Sequence, residues 1–212
     1  MKKITISILI TFYSLFSFSQ KKELYVNDDF KYITKTEFDR KSDHPLGYNL
    51  RFDLDSCYLN VKVSRYIKGK IKLSLLDSIK TSFNKFNQIK LDDSDALFVN
   101  YYPGDDNCSS RGYKANFKKR YNEFYRNINK IENLKQLFIY KSDDGLRGFG
   151  KKINWQPDIN NLIENTFYPI HYPCGGYLII DSKGNYISER GEYCYSKILI
   201  KELKTFASNS NN

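Results

Sequence analysis

The chain has 212 residues, with 34 Lys and Arg against 24 Asp and Glu and a formal charge of +10. That length suffices for one well-packed domain, or one domain with a small appendage, and the basic residues are scattered among acids, as on a solvated basic surface and unlike a nucleic-acid site. The two histidines, His44 and His171, sit in turn-like segments near proline, and the four cysteines include no close pair. Zinc-ribbon and Cys-x-x-Cys spacings are therefore absent, and neither a metal nor another cofactor is expected.

The N-terminal stretch MKKITISILITFYSLFSFSQ places Lys2 and Lys3 ahead of an apolar run and small residues Ser17 and Ser19 where a signal peptidase reads. Residues 1–19 read as a secretory signal peptide. A membrane anchor would need about 20 apolar residues, and Thr5, Ser7, Thr11, Ser14 and Ser17 interrupt the run. The chain that follows starts at Gln20 and has 193 residues; Lys2 and Lys3 leave with the leader and no acid does, so its charge is +8. The protein is expected to be exported, either periplasmic or secreted, with membrane contact only through the cleaved leader and no nucleic-acid partner.

Residues 20–93 read as an N-terminal α+β extension. Leu24 and Val26 suggest a strand, Asn27 to Asp29 a turn, and Tyr32 and Ile33 a second strand; Thr34 or Thr36 caps a short helix around Glu37 and Phe38. Ser42 to Gly47, with His44 and Pro45, is loop. Tyr48, Leu50, Phe52 and Leu54 alternate at period two, as do Leu59, Val61 and Val63, with Cys57 between the runs. Ser74 reads as the cap of a helix carrying Leu76, Ile79, Phe83 and Phe86 and ending near Asn87. The polar break from Asp92 to Asp95 closes the extension.

From residue 94 the order is plainer. Leu97, Phe98, Val99 and Tyr101 make a buried strand, and a turn-rich loop with Cys108 leads into a helix whose face carries Phe117, Tyr121, Phe124, Tyr125 and Ile128. Leu137 to Tyr140 make a second strand. Gly145, Gly148 and Gly150 punctuate a loop that lacks a phosphate-binding pattern, and Asp158 caps a short helix with Leu162 and Ile163. Tyr177 to Ile180 form a third strand, Asp181-Ser-Lys-Gly184 a hairpin turn, and Tyr186 and Ile187 a fourth strand. Ser196 starts a helix with Ile198, Leu199, Leu203 and Phe206, and Ser208 to Asn212 read as a disordered tail. The sum is an α/β core of order β-α-β-α-β-β-α with a central mixed sheet. The acid pairs all fall in turns, where Asp bonds its own backbone; Asp105, Asp106 and Asn107 make only a weak cation candidate, lacking a full oxygen-ligand spacing.

A cysteine between a strand and a helix N-terminus is placed where the helix dipole favours the thiolate. That order, the strand and loop LFVNYYPGDDNCSS, the hairpin YLIIDSKGNYI and Gly191 after it resemble the thioredoxin-like superfamily over residues 94–207. The departures are specific. Three residues after Cys108, where thioredoxins carry a second cysteine, stands Arg111; Asp105 stands where peroxiredoxins carry a hydroxyl residue, and Pro103 is out of their register. The family's cis-proline position falls on Gly175, with Pro173 the nearest substitute.

The resemblance also implies that the loop before the third strand lies against the loop after the first, so that Cys174 faces Cys108. Two roles follow for that pair. One is a structural disulfide in an exported binding or structural module. The other is a thiol-disulfide oxidoreductase in which Cys108 attacks, with Arg111 stabilising its thiolate, and Cys174 resolves, His171 assisting proton transfer. The partner is then an unidentified protein, or a protein thiol substrate. Cys57 and Cys194 are left either as a second bridge or as free thiols.

Overall fold

The computed structural model describes residues 21–86, 89–107, 113–149 and 153–210, and of residues 113–120 the backbone only. The leader, Gln20, Asn87, Cys108, Arg111 and Gly150 lie outside the described residues, as does the Phe117 side chain. The chain divides into two compact units, one of residues up to 42 plus 48–63, the other of residues 43–47 plus 64 onward.

The first unit is a three-stranded sheet in the order β1 (Lys22–Asn27), β3 (Cys57–Lys62), β2 (Asn49–Asp53). Val61 in β3 and Val63 just past its end are buried, and β3 is central because it pairs parallel to β1 and antiparallel to β2. Helix α1 (Lys35–Asp39) starts on the predicted Thr34 cap, with Glu37 reaching back to the Thr34 N–H at 2.8 Å as a capping box. Lys62 closes its other end by donating to the carbonyls of Glu37 and Arg40.

The second unit is built on a six-stranded sheet ordered β4 (Tyr66–Lys70), β9 (Asn185–Arg190), β8 (Gly176–Ile180), β5 (Ala96–Tyr102), β6 (Leu134–Tyr140), β7 (Trp155–Pro157). Strand β5 is buried at all seven positions, as its continuous apolar run requires of a central strand. It runs parallel to β6 and antiparallel to β8, while β8, β9 and β4 are mutually antiparallel neighbours. The sheet is mixed, as the sequence led one to expect. Helices α3 (Tyr113–Ile128) and α5 (Lys197–Ser210) cover one face, where Phe98, Phe124, Ile179, Ile187, Leu199 and Leu203 form the core. On the other face Tyr101 stacks on Tyr168 at 4.3 Å, just beyond α4 (Leu162–Phe167). Helix α2 (Leu73–Phe86) buries Leu76, Ile79 and Phe83.

Several expectations change. Residues 64–93, assigned to the extension, belong with the large sheet: β4 pairs with β9 in the register Tyr66↔Glu189 to Lys70↔Asn185. The alternation in YIKGK is too weak to announce a strand, and only the distant partner makes it one. Ser74 lies inside α2 and its carbonyl accepts the Ser78 hydroxyl at 2.8 Å. Residues 208–210, read as disordered tail, are the last turn of α5, because the Ser210 hydroxyl accepts the Ser182 N–H at 3.0 Å and gives that polar end a partner. Strand β7 and the 3-10 turn Leu146–Phe149 were not foreseen. No peptide bond among the described residues is cis, so Pro173 does not reproduce the expected cis-proline.

Candidate functional site

The site lies at the C-terminal end of β5. Because β5 and β8 are antiparallel and end in register at Tyr101↔Gly176, the segment leading into β8 is laid across the segment leaving β5. Contact is close: a side chain at Gly175 would put its Cβ 2.1 Å from the Tyr101 carbonyl oxygen and 2.9 Å from Pro103 Cδ. Gly175 also has φ +77°, which glycine alone adopts without strain. Its neighbour Cys174 is held at φ +65°. That cysteine is anchored through its backbone, whose N–H donates to Asp106 Oδ2 at 2.8 Å. The same carboxylate oxygen lies 3.4 Å from His171 Nε2, so Asp106 ties three points of the two loops together.

Of the residues singled out from the sequence, Cys174 and His171 are thus brought to the Pro103–Asn107 loop, while Cys108 and Arg111, immediately after it, lie outside the described residues. The free thiols among the described residues are Cys57, buried at the start of β3, and Cys194, exposed ahead of α5. Cys174 is not one of them. The proposed second bridge between Cys57 and Cys194 is therefore not formed. Asp106, considered as a cation ligand with Asp105 and Asn107, spends its carboxylate on Cys174 and His171, and no three His, Cys, Asp or Glu side chains gather as a metal site among the described residues.

Beside Cys174 is a small hollow of about 20 Å³, room for one water molecule. Sequence reasoning missed it. One wall is aromatic: Tyr102, Phe138 and Phe149 stand with ring centroids 5.6, 5.2 and 5.3 Å from Trp155. Asn100, Tyr193 and Tyr195 also line it. Asn100 faces the α3/α5 side of the sheet, where alternation along β5 puts it between Phe98 and Tyr102. Its Oδ1 accepts the hydroxyls of Tyr193 at 2.7 Å and Tyr195 at 3.3 Å, and its Nδ2 donates to the Leu137 carbonyl at 3.2 Å. One signal could have found it, namely a lone Asn inside the apolar run ALFVNYY. A polar group buried at mid-strand must be satisfied by other parts of the chain.

Burial raises the Tyr101 hydroxyl well above the usual tyrosine range, helped by the charges of Glu164 and Asp158, and pushes that of Tyr121, packed 6.1 Å from the Tyr195 ring, up to about 12. Both stay neutral near pH 7. No family model, curated protein or solved structure matches this chain. No helix among the described residues is long and apolar enough to cross a membrane.

Proposed function

We propose that this is an exported protein of thioredoxin-like fold in which Cys108 and Cys174 are joined as a structural disulfide, serving a binding or structural role. The observation that carries the reading is the bond from the Cys174 N–H to Asp106, which lies two residues before Cys108. Two further facts support it. Strand β8 lies antiparallel beside β5, which lays the loop before it against the loop after β5 as the resemblance implies. Cys57 and Cys194, the competing partners, are both free. Closing a loop of this length adds about 4 kcal/mol of stability in the chain-entropy account. The case for export is the composition of the leader.

The second reading is thiol-disulfide exchange, favoured by His171 beside Asp106, a proton-transfer couple next to Cys174. In that reaction the Cys108 thiolate attacks a partner disulfide and expels one partner thiol. The Cys174 thiolate then attacks the mixed disulfide and expels the second, leaving the partner reduced and the pair oxidised. Arg111 stabilises the attacking thiolate in this scheme.

Peptide mapping without reductant tests the pairing: a Cys108–Cys174 peptide is expected, and a peptide linking Cys108 to Cys57 or Cys194 sinks the proposal. The reduction potential of the pair separates the two readings. A value below about −300 mV marks a structural bond, whereas one near about −200 mV, with insulin reduction lost in Cys108→Ser, marks an exchange enzyme.

A further inference from the structure

We propose that the open edge of the three-stranded sheet is a self-association surface, on which β2 pairs antiparallel with β2 of a second copy of this chain. Two first units are then joined in one continuous sheet. The inference goes beyond the role proposed above and stands whatever the pairing of the cysteines.

The two edges of this sheet differ. Along β1 the outward groups are taken by the chain itself, since the Tyr25 carbonyl accepts the Ile33 N–H at 3.0 Å and the Asn27 N–H donates to the Lys31 carbonyl at 2.9 Å. Along β2 the pattern is set by the Leu54 N–H, which donates to the Cys57 carbonyl at 2.9 Å. Residues of an antiparallel ladder bond inward and outward in alternation, so Leu50 and Phe52 bond to β3 as Leu54 does, and Arg51 and Asp53 turn their N–H and C=O away from it. Both of these residues are exposed, and nothing among the described residues bonds those outward groups. Such an edge is a template for another strand.

Charged side chains normally protect an edge of this kind. Here they are held by their own sheet: Arg51 Nη2 lies 3.0 Å from Glu23 Oε1 with its guanidinium 4.1 Å from the centre of the Tyr58 ring, and Asp53 Oδ1 lies 2.5 Å from Lys21 Nζ. The edge is also complementary to itself in one register. With Phe52 opposite Phe52 of the second copy, Arg51 falls opposite Asp53 on both sides of the two-fold axis, and Leu50 falls opposite Leu54. Opposite charges directly across a ladder attract and like charges repel. Sliding by two residues sets Arg51 against Arg51 in one direction and Asp53 against Asp53 in the other, so charge selects the register. The same register gives Leu54, 45% exposed in the single chain, an apolar partner. A two-fold contact uses β2 of both copies, and Tyr25 and Asn27 of β1 are already engaged, so the assembly closes at two.

The chain from Gln20 onward is expected to sediment as a concentration-dependent dimer, and the amides of Arg51 and Asp53 to exchange more slowly in the dimer than on dilution. Arg51→Asp leaves acids at both positions and Asp53→Arg leaves bases at both, so each variant alone should dimerise about tenfold more weakly or worse. Mixing the two variants should restore association, because every cross-strand pair is then opposite in charge. A wild-type chain that stays monomeric at millimolar concentration overturns the proposal, as does a dimer that neither substitution weakens or a mixture no tighter than its components. Sedimentation and amide exchange of the wild type decide even if a variant fails to fold. Neither result depends on the cysteine map.

Discussion

Asp158 stands ahead of the 3-10 turn Ile159–Asn161, yet its carboxylate reaches past that turn to α4, accepting the N–H of Ile163 at 3.0 Å and of Glu164 at 2.8 Å. The cap was legible in the sequence; its two-oxygen grip was not, because Asn160 and Asn161 first pass through the left-handed region. Asp158→Ala is expected to cost about 1 kcal/mol, read from urea unfolding. Burial pushes this carboxyl above its ordinary 3.8, against the pull of those N–H donors. The folded group therefore binds a proton more tightly than the unfolded one. Its contribution to stability is full below about 3.8 and is lost as pH rises through the raised value. Against Asp158→Asn, which does not titrate, the wild-type advantage should widen as pH falls from 7 toward 3.5; an advantage constant across that range would refute the burial argument. Gly175 is a second point of leverage. With positive φ and a backbone oxygen 2.1 Å from where a Cβ would stand, Gly175→Ala should destabilise by about 2 kcal/mol or more and perturb the resonances of Pro103 to Asn107.

Helix α5 illustrates how packing overrides composition. The run SNSNN has nothing apolar to hold it, and it reads as fraying; in the fold, Ser210 meets the hairpin between β8 and β9, accepting the Ser182 N–H while the Ser182 hydroxyl donates to the Ser210 carbonyl at 3.2 Å. That hairpin is itself wound around the fully buried Asp181, whose Oδ1 accepts the N–H of Lys183 and Asn185. Ser210→Ala removes one of the two Ser182–Ser210 bonds and is expected to cost about 1 kcal/mol. Amide exchange should speed up at Ser182 and in the last turn of α5 but not in β5; unchanged exchange at Ser182 would count against the tie. Strong periodic signals, such as the alternation of β2 and β3 or the spacing of Leu76, Ile79 and Phe83, located their strands and helix correctly. Strand β7 was illegible for a physical reason. Its three residues pair only with Phe138 to Tyr140, and a strand that short is made by its neighbour, not by its own pattern.

For the molecule as a whole, what the sequence hid is long-range pairing. The core order from β5 to α5 could be read because each piece carries its own periodicity, whereas the place of β4 depends on β9, and the hollow on Tyr193 and Tyr195 returning to Asn100. A chain begun at Ser64 keeps the whole six-stranded sheet, giving up the Arg65–Leu46 carbonyl bond of 2.9 Å, and is expected to fold. One begun at Ser94 loses β4 and α2, strips one of the two partners from β9 and uncovers core packed by Leu76, Ile79 and Phe83. It is expected to aggregate or remain molten by near-ultraviolet circular dichroism and amide dispersion. Equal folding of the two would mean that β4 and α2 are dispensable.

The pairing of β4 with β9 also has a meaning in time. Strand β4 leaves a ribosome, or a translocation pore, before any other strand of its sheet, but its only partner in that sheet is the last strand to appear. Until then Tyr66 to Lys70 have no hydrogen-bonded neighbour there, and the sheet cannot be completed by local steps. Completion waits on nearly the full length of the chain.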